Sequence, residues 1–271
     1  MRALLLLPLL ASFVFAAPPP DAGSAKVAAP AERALYATKP LTSADLSSRS
    51  LRELTLMRNW IYARRGNEFR RAWLRDFFAK QKWYAPNQMM FLSGAWRGES
   101  EDQPEDWARD DKNAELIAEY ESNLTTEQLT AMRDAVRARM KNVKEANADD
   151  LIELKLISVR LGGWAGEGEP PAGLTPLENP KRLDGLLKLT DLDDFSPRDL
   201  KLLRNTIFAR KGRPFETPLV KGHFKTVQWY VADAKYSDKL LNDVDKKNVK
   251  LIQSLERELK REAETNFMAG A

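Results

Sequence analysis

Apolar residues crowd the start of the chain and afterwards recur at helical spacing. Leu4, Leu5, Leu6, Leu7, Leu9, Leu10, Phe13, Val14 and Phe15 follow Arg2, a run of ~13 apolar residues that is too short to span a bilayer. A basic start, a short apolar stretch and the small residues Ala16 and Ala17 mark a secretory signal peptide over residues 1–16, with cleavage expected after Ala16. No later stretch is apolar enough to span, so no transmembrane segment is expected after cleavage. Residues 17–40 are rich in Ala and Pro, lack apolar periodicity and predict an extended tether.

From there the chain repeats itself. LRELTLMRNWIYARRGNEF from Leu51 aligns without a gap on PRDLKLLRNTIFARKGRPF from Pro197. Identities fall at Leu54/Leu200, Arg58/Arg204, Asn59/Asn205, Ile61/Ile207, Arg64/Arg210, Gly66/Gly212 and Phe69/Phe215. The register continues through Phe78/Phe224 and Trp83-Tyr84/Trp229-Tyr230. Gapless self-similarity of this extent is a duplication. The first copy then carries an insertion, 88–109, after which Lys112-Asn113 and Glu121 realign with Lys247-Asn248 and Glu256.

Caps set the helices of each copy. Ser50 with Glu53, and Ser196 with Pro197 and Asp199, are helix starts, while Gly66 and Gly212 follow basic pairs at the place of a left-handed C-cap. A second amphipathic helix carries Trp73, Leu74, Phe77 and Phe78, or Leu219, Val220, His223 and Phe224. A third runs from about Lys112 to Glu121, or from about Asp245 to Glu262. Between the copies, Thr125 to Lys144 and Ala148 to Leu161 predict an α-hairpin packed on the first unit. The text GGWAGEGEPPAGLTPLENP after it predicts a flexible linker. The expected fold is all-α. Its divisions are domain 1 at 41–121, a hairpin at 122–161, a Gly/Pro-rich linker at 162–182, domain 2 at 183–262 and a tail at 263–271.

LTSADLSSRSLRELTLMRNWIYARRGNEF, then KWYAPN, then KNAELIAEYE, resembles the YARHG domain, a short module of bacterial exported proteins. LLKLTDLDDFSPRDLKLLRNTIFARKGRPF, then QWY, then KKNVKLI, resembles a second, more divergent copy. The motif residues carried over are Arg58, Asn59, Tyr62, Arg64, Gly66, Trp83 and Tyr84, with Arg204, Asn205, Phe208, Arg210, Gly212, Trp229 and Tyr230. The motif histidine is replaced by Arg65 and Lys211, and the motif tyrosine by Phe208. The resemblance implies an extracytoplasmic helical module of the cell envelope.

Chemistry is narrowed by what the chain lacks. Without cysteine and with one histidine, there is no disulfide, thiolate metal site or multi-His site, and no catalytic residue, cofactor or metal is expected. Lys and Arg number 43 against 39 acids, for a formal charge of +4. The two signs alternate along most segments, so no nucleic-acid partner is expected. Arg58 lies on an apolar arc with Leu51, Leu54 and Ile61, as Arg204 does in its copy, and a buried guanidinium needs a carboxylate. Asp45/Asp191 and Glu121/Glu256 are both repeated and both available. Asn59 and Asn205 are expected to bond a loop carbonyl or cap a neighbouring helix, and the Trp-Tyr pairs to close the core. Phe91, Trp96 and Trp107 in the insertion are candidate ligand- or partner-binding residues, alternatively a flap over the domain's own core. With the resemblance, these readings lead to the expectation of a non-enzymatic exported binding or structural protein of the bacterial cell envelope, its partner an envelope polymer or envelope protein. The alternative is a carboxylate-dependent hydrolase of envelope glycan, which would place two acids across an open cleft.

Overall fold

The computed structural model describes residues 34–88, 104–141 and 147–269, and all regular structure among them is helical. The signal peptide, most of the tether and Phe91 and Trp96 of the insertion lie outside the described residues. In the first copy α1 (Ser43–Leu46) leads into α2 (Leu51–Arg64), α3 (Ala72–Ala79) and α4 (Pro104–Asn123). The hairpin is α5 (Thr126–Lys141) and α6 (Ala148–Leu161). In the second copy a 3-10 turn at Leu189–Asp191 replaces α1, followed by α7 (Pro197–Ala209), α8 (Pro218–Phe224) and α9 (Asp243–Ala269).

Local chemistry accounts for these boundaries. Ser50 and Ser196 close reciprocal capping boxes with Glu53 and Asp199, satisfying N–H groups that have no partner inside the helix. Gly66 and Gly212 end α2 and α7 with φ of +80° and +83°. A returning strand of chain lies against each glycine: Asn87 N donates to Gly66 O at 2.8 Å and Asp233 N to Gly212 O at 2.7 Å. Helix α4 begins at Pro104, inside the insertion and ahead of the expected Lys112. Helix α9 likewise continues past Glu262 to Ala269.

Packing repeats with the sequence. Leu46, Leu54, Ile61, Phe78 and Ile117 are buried in the first copy, and their counterparts Leu192, Leu200, Ile207, Phe224 and Ile252 in the second. Each such side chain contributes about 1.5–3 kcal/mol relative to exposure. The hairpin buries Leu129, Val136, Leu154 and Ile157 together with Leu51 of α2. Glu153 of α6, itself buried, accepts hydrogen bonds from Leu51 N (2.9 Å) and Arg52 N (2.6 Å), so the hairpin caps the helix it packs on. Burial raises the Glu153 carboxyl above its ordinary range, and those two N–H bonds oppose the rise.

The described end of the expected tether, 34–40, and the expected linker both bond to the fold. Leu35 packs on the first core, Tyr36 Oη donates to Asp110 Oδ2 at 3.0 Å, and Asn113 holds both Lys39 O and Leu41 N. The 162–182 segment, expected to be flexible, is anchored because Arg137 donates to the carbonyls of Ala165 and Gly166, each at 2.7 Å, and because Leu174 and Leu177 are buried. The copies also meet directly. Arg71 pairs bidentately with Asp199, and Arg70 donates to Phe195 O and Asp193 O.

Candidate functional site

The motif residues bond and pack within the chain. Arg58 pairs with Glu121, and Arg204 Nε donates to Glu256 Oε2 at 2.9 Å, so one of the two repeated carboxylate pairs supplies the partner. The other pair, Asp45 and Asp191, instead caps its own turn at Thr42 N and Lys188 N. Hydrogen bonds from Thr42, side chain and backbone, and from Lys39 hold Asp45 down at about 2. Asn59 and Asn205 bond the carbonyls of Thr55 and Lys201, one turn back in their own helices and each at 2.7 Å, instead of a loop or a neighbouring helix. Arg64 lies over the Tyr36 ring, and Arg210 pairs with Asp184. Tyr62 and Phe208 contribute ring surface to their cores. Arg65 and Lys211, at the motif-histidine position, pair with Asp111 and Asp245.

The Trp-Tyr pairs divide their work. Tyr84 and Tyr230 sit against the core phenylalanines and donate to Asn67 O (2.8 Å) and Arg213 O (2.7 Å). Burial pushes the Tyr84 hydroxyl up to about 12, with Glu68 adding to it. Trp83 and Trp229, expected to close the core, are 41% and 38% exposed. The tyrosines already fill that space, which leaves the indoles on the surface. Trp83 leans on Trp60 with ring centroids 5.0 Å apart. Its equivalent Trp229 has Thr206 in place of that indole, and donates its Nε1–H to Gly162 O.

A groove lies beside Trp229. A cavity of about 330 Å³ is lined by Arg133, Gly162, Gly163, Trp164, Gln228 and Trp229, with Leu161 and Ala165 at its base. Three segments build it. The end of α6 supplies Leu161 and the left-handed Gly162, α5 supplies Arg133, and the loop after α8 supplies Gln228 and Trp229, whose backbone is tied to α6 through Gln228 N and Leu161 O at 3.0 Å. Trp164 Nε1 is buried and without a hydrogen-bond partner. Trp107, the described member of the insertion candidates, is not part of this groove. It is half-buried on α4 under the Arg65 guanidinium, 5.0 Å from its ring.

The groove was not legible as a site, since Trp164 falls in the expected linker and Arg133 is distant from it in the chain. Asn113 and Asn248 were also missed as structural residues. Asn248 bonds Leu187 N and Gly185 O as Asn113 bonds Leu41 N and Lys39 O, and their recurrence in the repeat was the available signal. His223 is buried, and burial with the charges of Arg160 and Arg198 brings its imidazole down to about 3. Among the described residues no group of His, Asp and Glu could hold a metal ion.

The YARHG domain model matches residues 30–95 and 176–257, more than half of the chain. No curated protein and no solved structure matches it. The two matched stretches carry the paired arginines, the back-bonded asparagines, the capping glycines and the bracketing Trp-Tyr pairs described above, and the chain belongs to the YARHG domain family.

Proposed function

We propose that the chain is a non-enzymatic, exported binding or structural protein of the bacterial cell envelope, holding an envelope polymer or envelope protein in the groove beside Trp229. YARHG is typically an extracytoplasmic domain, and no helix among the described residues is long and apolar enough to cross a membrane. The lining of the groove carries the reading: two indoles, a guanidinium, a carboxamide and glycine backbone, with no Asp, Glu, His or Ser. Such groups stack and hydrogen-bond but provide no acid–base pair. Glycan hydrolysis needs two carboxyl groups roughly 5–10 Å apart across a cleft. The buried acids are engaged elsewhere: Asp110 with Arg109, Glu121 with Arg58, Glu153 on α2, Asp199 with Arg71 and Asp245 with Lys211.

The test incubates the mature protein from Ala17 with isolated cell envelope, beside a variant combining Trp229→Ala and Gln228→Ala. Co-sedimentation and release of soluble sugar or peptide are both followed. Sedimentation that falls about tenfold in the folded variant, without release in either, is expected for a ligand held by one stacking and one hydrogen-bonding group. Released products would overturn the non-enzymatic reading, and equal sedimentation would overturn the groove.

A further inference from the structure

The groove beside Trp229 presents indole surface without indole polarity. Trp229 has already given its Nε1–H to Gly162 O. The Nε1 edge of Trp164 is closed to solvent and lies against Gly166, where a Cβ would stand 2.7 Å from Nε1, 2.3 Å from Cε2 and 2.0 Å from Cζ2. Gly166 is not part of the lining, so that edge is turned away from the groove and Trp164 offers it carbon. The walls are also fixed before anything binds. Ser158 holds the loop by accepting Ala165 N at its hydroxyl and Gly163 N at its carbonyl, both at 2.9 Å, while Thr226 Oγ1 donates to Arg160 O at 2.8 Å beside the bond from Gln228 N. A preformed site loses little to ordering.

Its polar groups are few and reachable. Gln228 is exposed, and its carboxamide, which can both donate and accept, joins no hydrogen bond among the described residues. Arg133 gives Nε to Asp134 Oδ1 at 2.8 Å and keeps both Nη groups for other partners. No acid lines the groove, and its one cation already has Asp134 beside it. The site therefore calls for neither a cation nor an anion. A volume of about 330 Å³ stands at the small end of the roughly 300–1,000 Å³ of small-molecule sites and admits a ring-sized group.

We propose that the groove binds an uncharged sugar ring of a glycan. The proposal rests on the groove being the binding site of the protein, and narrows its occupant to the glycan of the envelope. A pyranose has the matching anatomy: a flat face of C–H groups to lie on an indole, and a rim of hydroxyls, each donor and acceptor, to meet the carboxamide and the guanidinium. A peptide fits less well. A proline ring would stack as readily, but it has no N–H to give the Gln228 carbonyl. Other residues bring amides that the carbon surface of the indoles leaves unpaired.

The test titrates the mature protein from Ala17, by tryptophan fluorescence and by heat, with two fractions of isolated cell envelope: oligosaccharides stripped of protein and peptide, and proteins extracted in detergent. Saturable binding of the oligosaccharides, with an affinity that does not change from low to high salt, is expected of an uncharged ligand. Gln228→Leu, a change at an exposed position, is expected to fold and to weaken that binding about tenfold, since a donor and an acceptor are lost at once. Affinity that falls with salt would overturn the uncharged ring, and wild-type affinity in Gln228→Leu would overturn its seat. Failure of the oligosaccharides to bind, with envelope sedimentation still dependent on Trp229 and Gln228, would overturn the glycan and leave the groove to the extracted proteins. Sedimentation indifferent to both residues would overturn the groove itself.

Discussion

Replacing His223 by phenylalanine, the residue that the first copy carries at Phe77, should remove a dependence of stability on acid. His223 is 8% exposed, edge-on to Phe224 with ring centroids 4.8 Å apart. Burial, then Arg160, then Arg198 lower its imidazole from 6.5 to about 3, with Asp199 alone opposing them. The unfolded chain thus takes up a proton near the ordinary histidine value while the folded chain does not. Stability is fully present above that value and is lost as the pH falls toward the folded one, at about 1.4 kcal/mol per pH unit. From about pH 7 to about pH 5 the loss comes to about 2 kcal/mol. Urea unfolding of both proteins at the two pH values measures it.

Two buried carboxylates act in the background. Burial raises Asp199, but Arg71 and Ser196 outweigh it and keep the group below its usual range, so it stays ionised throughout this window. Glu153 is raised by burial and gains a proton more readily when folded, which works against the histidine effect. Neither changes in the variant, so the difference between the two proteins isolates the imidazole. Identical losses in wild type and His223→Phe would refute the reasoning.

Two further changes test the frame. Arg58→Ala leaves Glu121 buried without its cation and is expected to cost about 3–5 kcal/mol in urea unfolding; an unchanged midpoint would sink the structural role of that pair. Gly162→Ala places a Cβ 2.5 Å from both Trp229 Nε1 and Val227 Cγ1 at a φ of +84°. Strain and overpacking together are expected to cost about 2–4 kcal/mol by thermal unfolding, and wild-type stability would show that the Trp229 contact is not made.

Features set by near neighbours were legible in the sequence. Ser50, Ser196, Gly66 and Gly212 act on backbone groups within one turn, and their chemistry is the same wherever the helix lies. Partner choice was not legible. Asp45 and Glu121 recur equally well in both copies, and only the packing of α4 on α2 selects Glu121. The indoles misled for a related reason: size and apolarity argue for burial, but Tyr84 and Tyr230 occupy the core and leave Trp83 and Trp229 outside. The groove joins residues far apart in the chain, and nothing local marks Trp164 or Arg133 as neighbours of the second copy.

The seat of Glu153 on α2 also bears on how a duplicated chain avoids folding on the wrong half of itself. Glu153 bonds the amides of Leu51 and Arg52, and at the position equivalent to Leu51 the second copy has Pro197, which has no amide hydrogen to offer. A hairpin that docked on the wrong copy would bury its carboxylate with half of its partners gone. One residue thus breaks the symmetry that duplication created, and steers the nascent chain away from the cross-paired traps to which tandem repeats are prone.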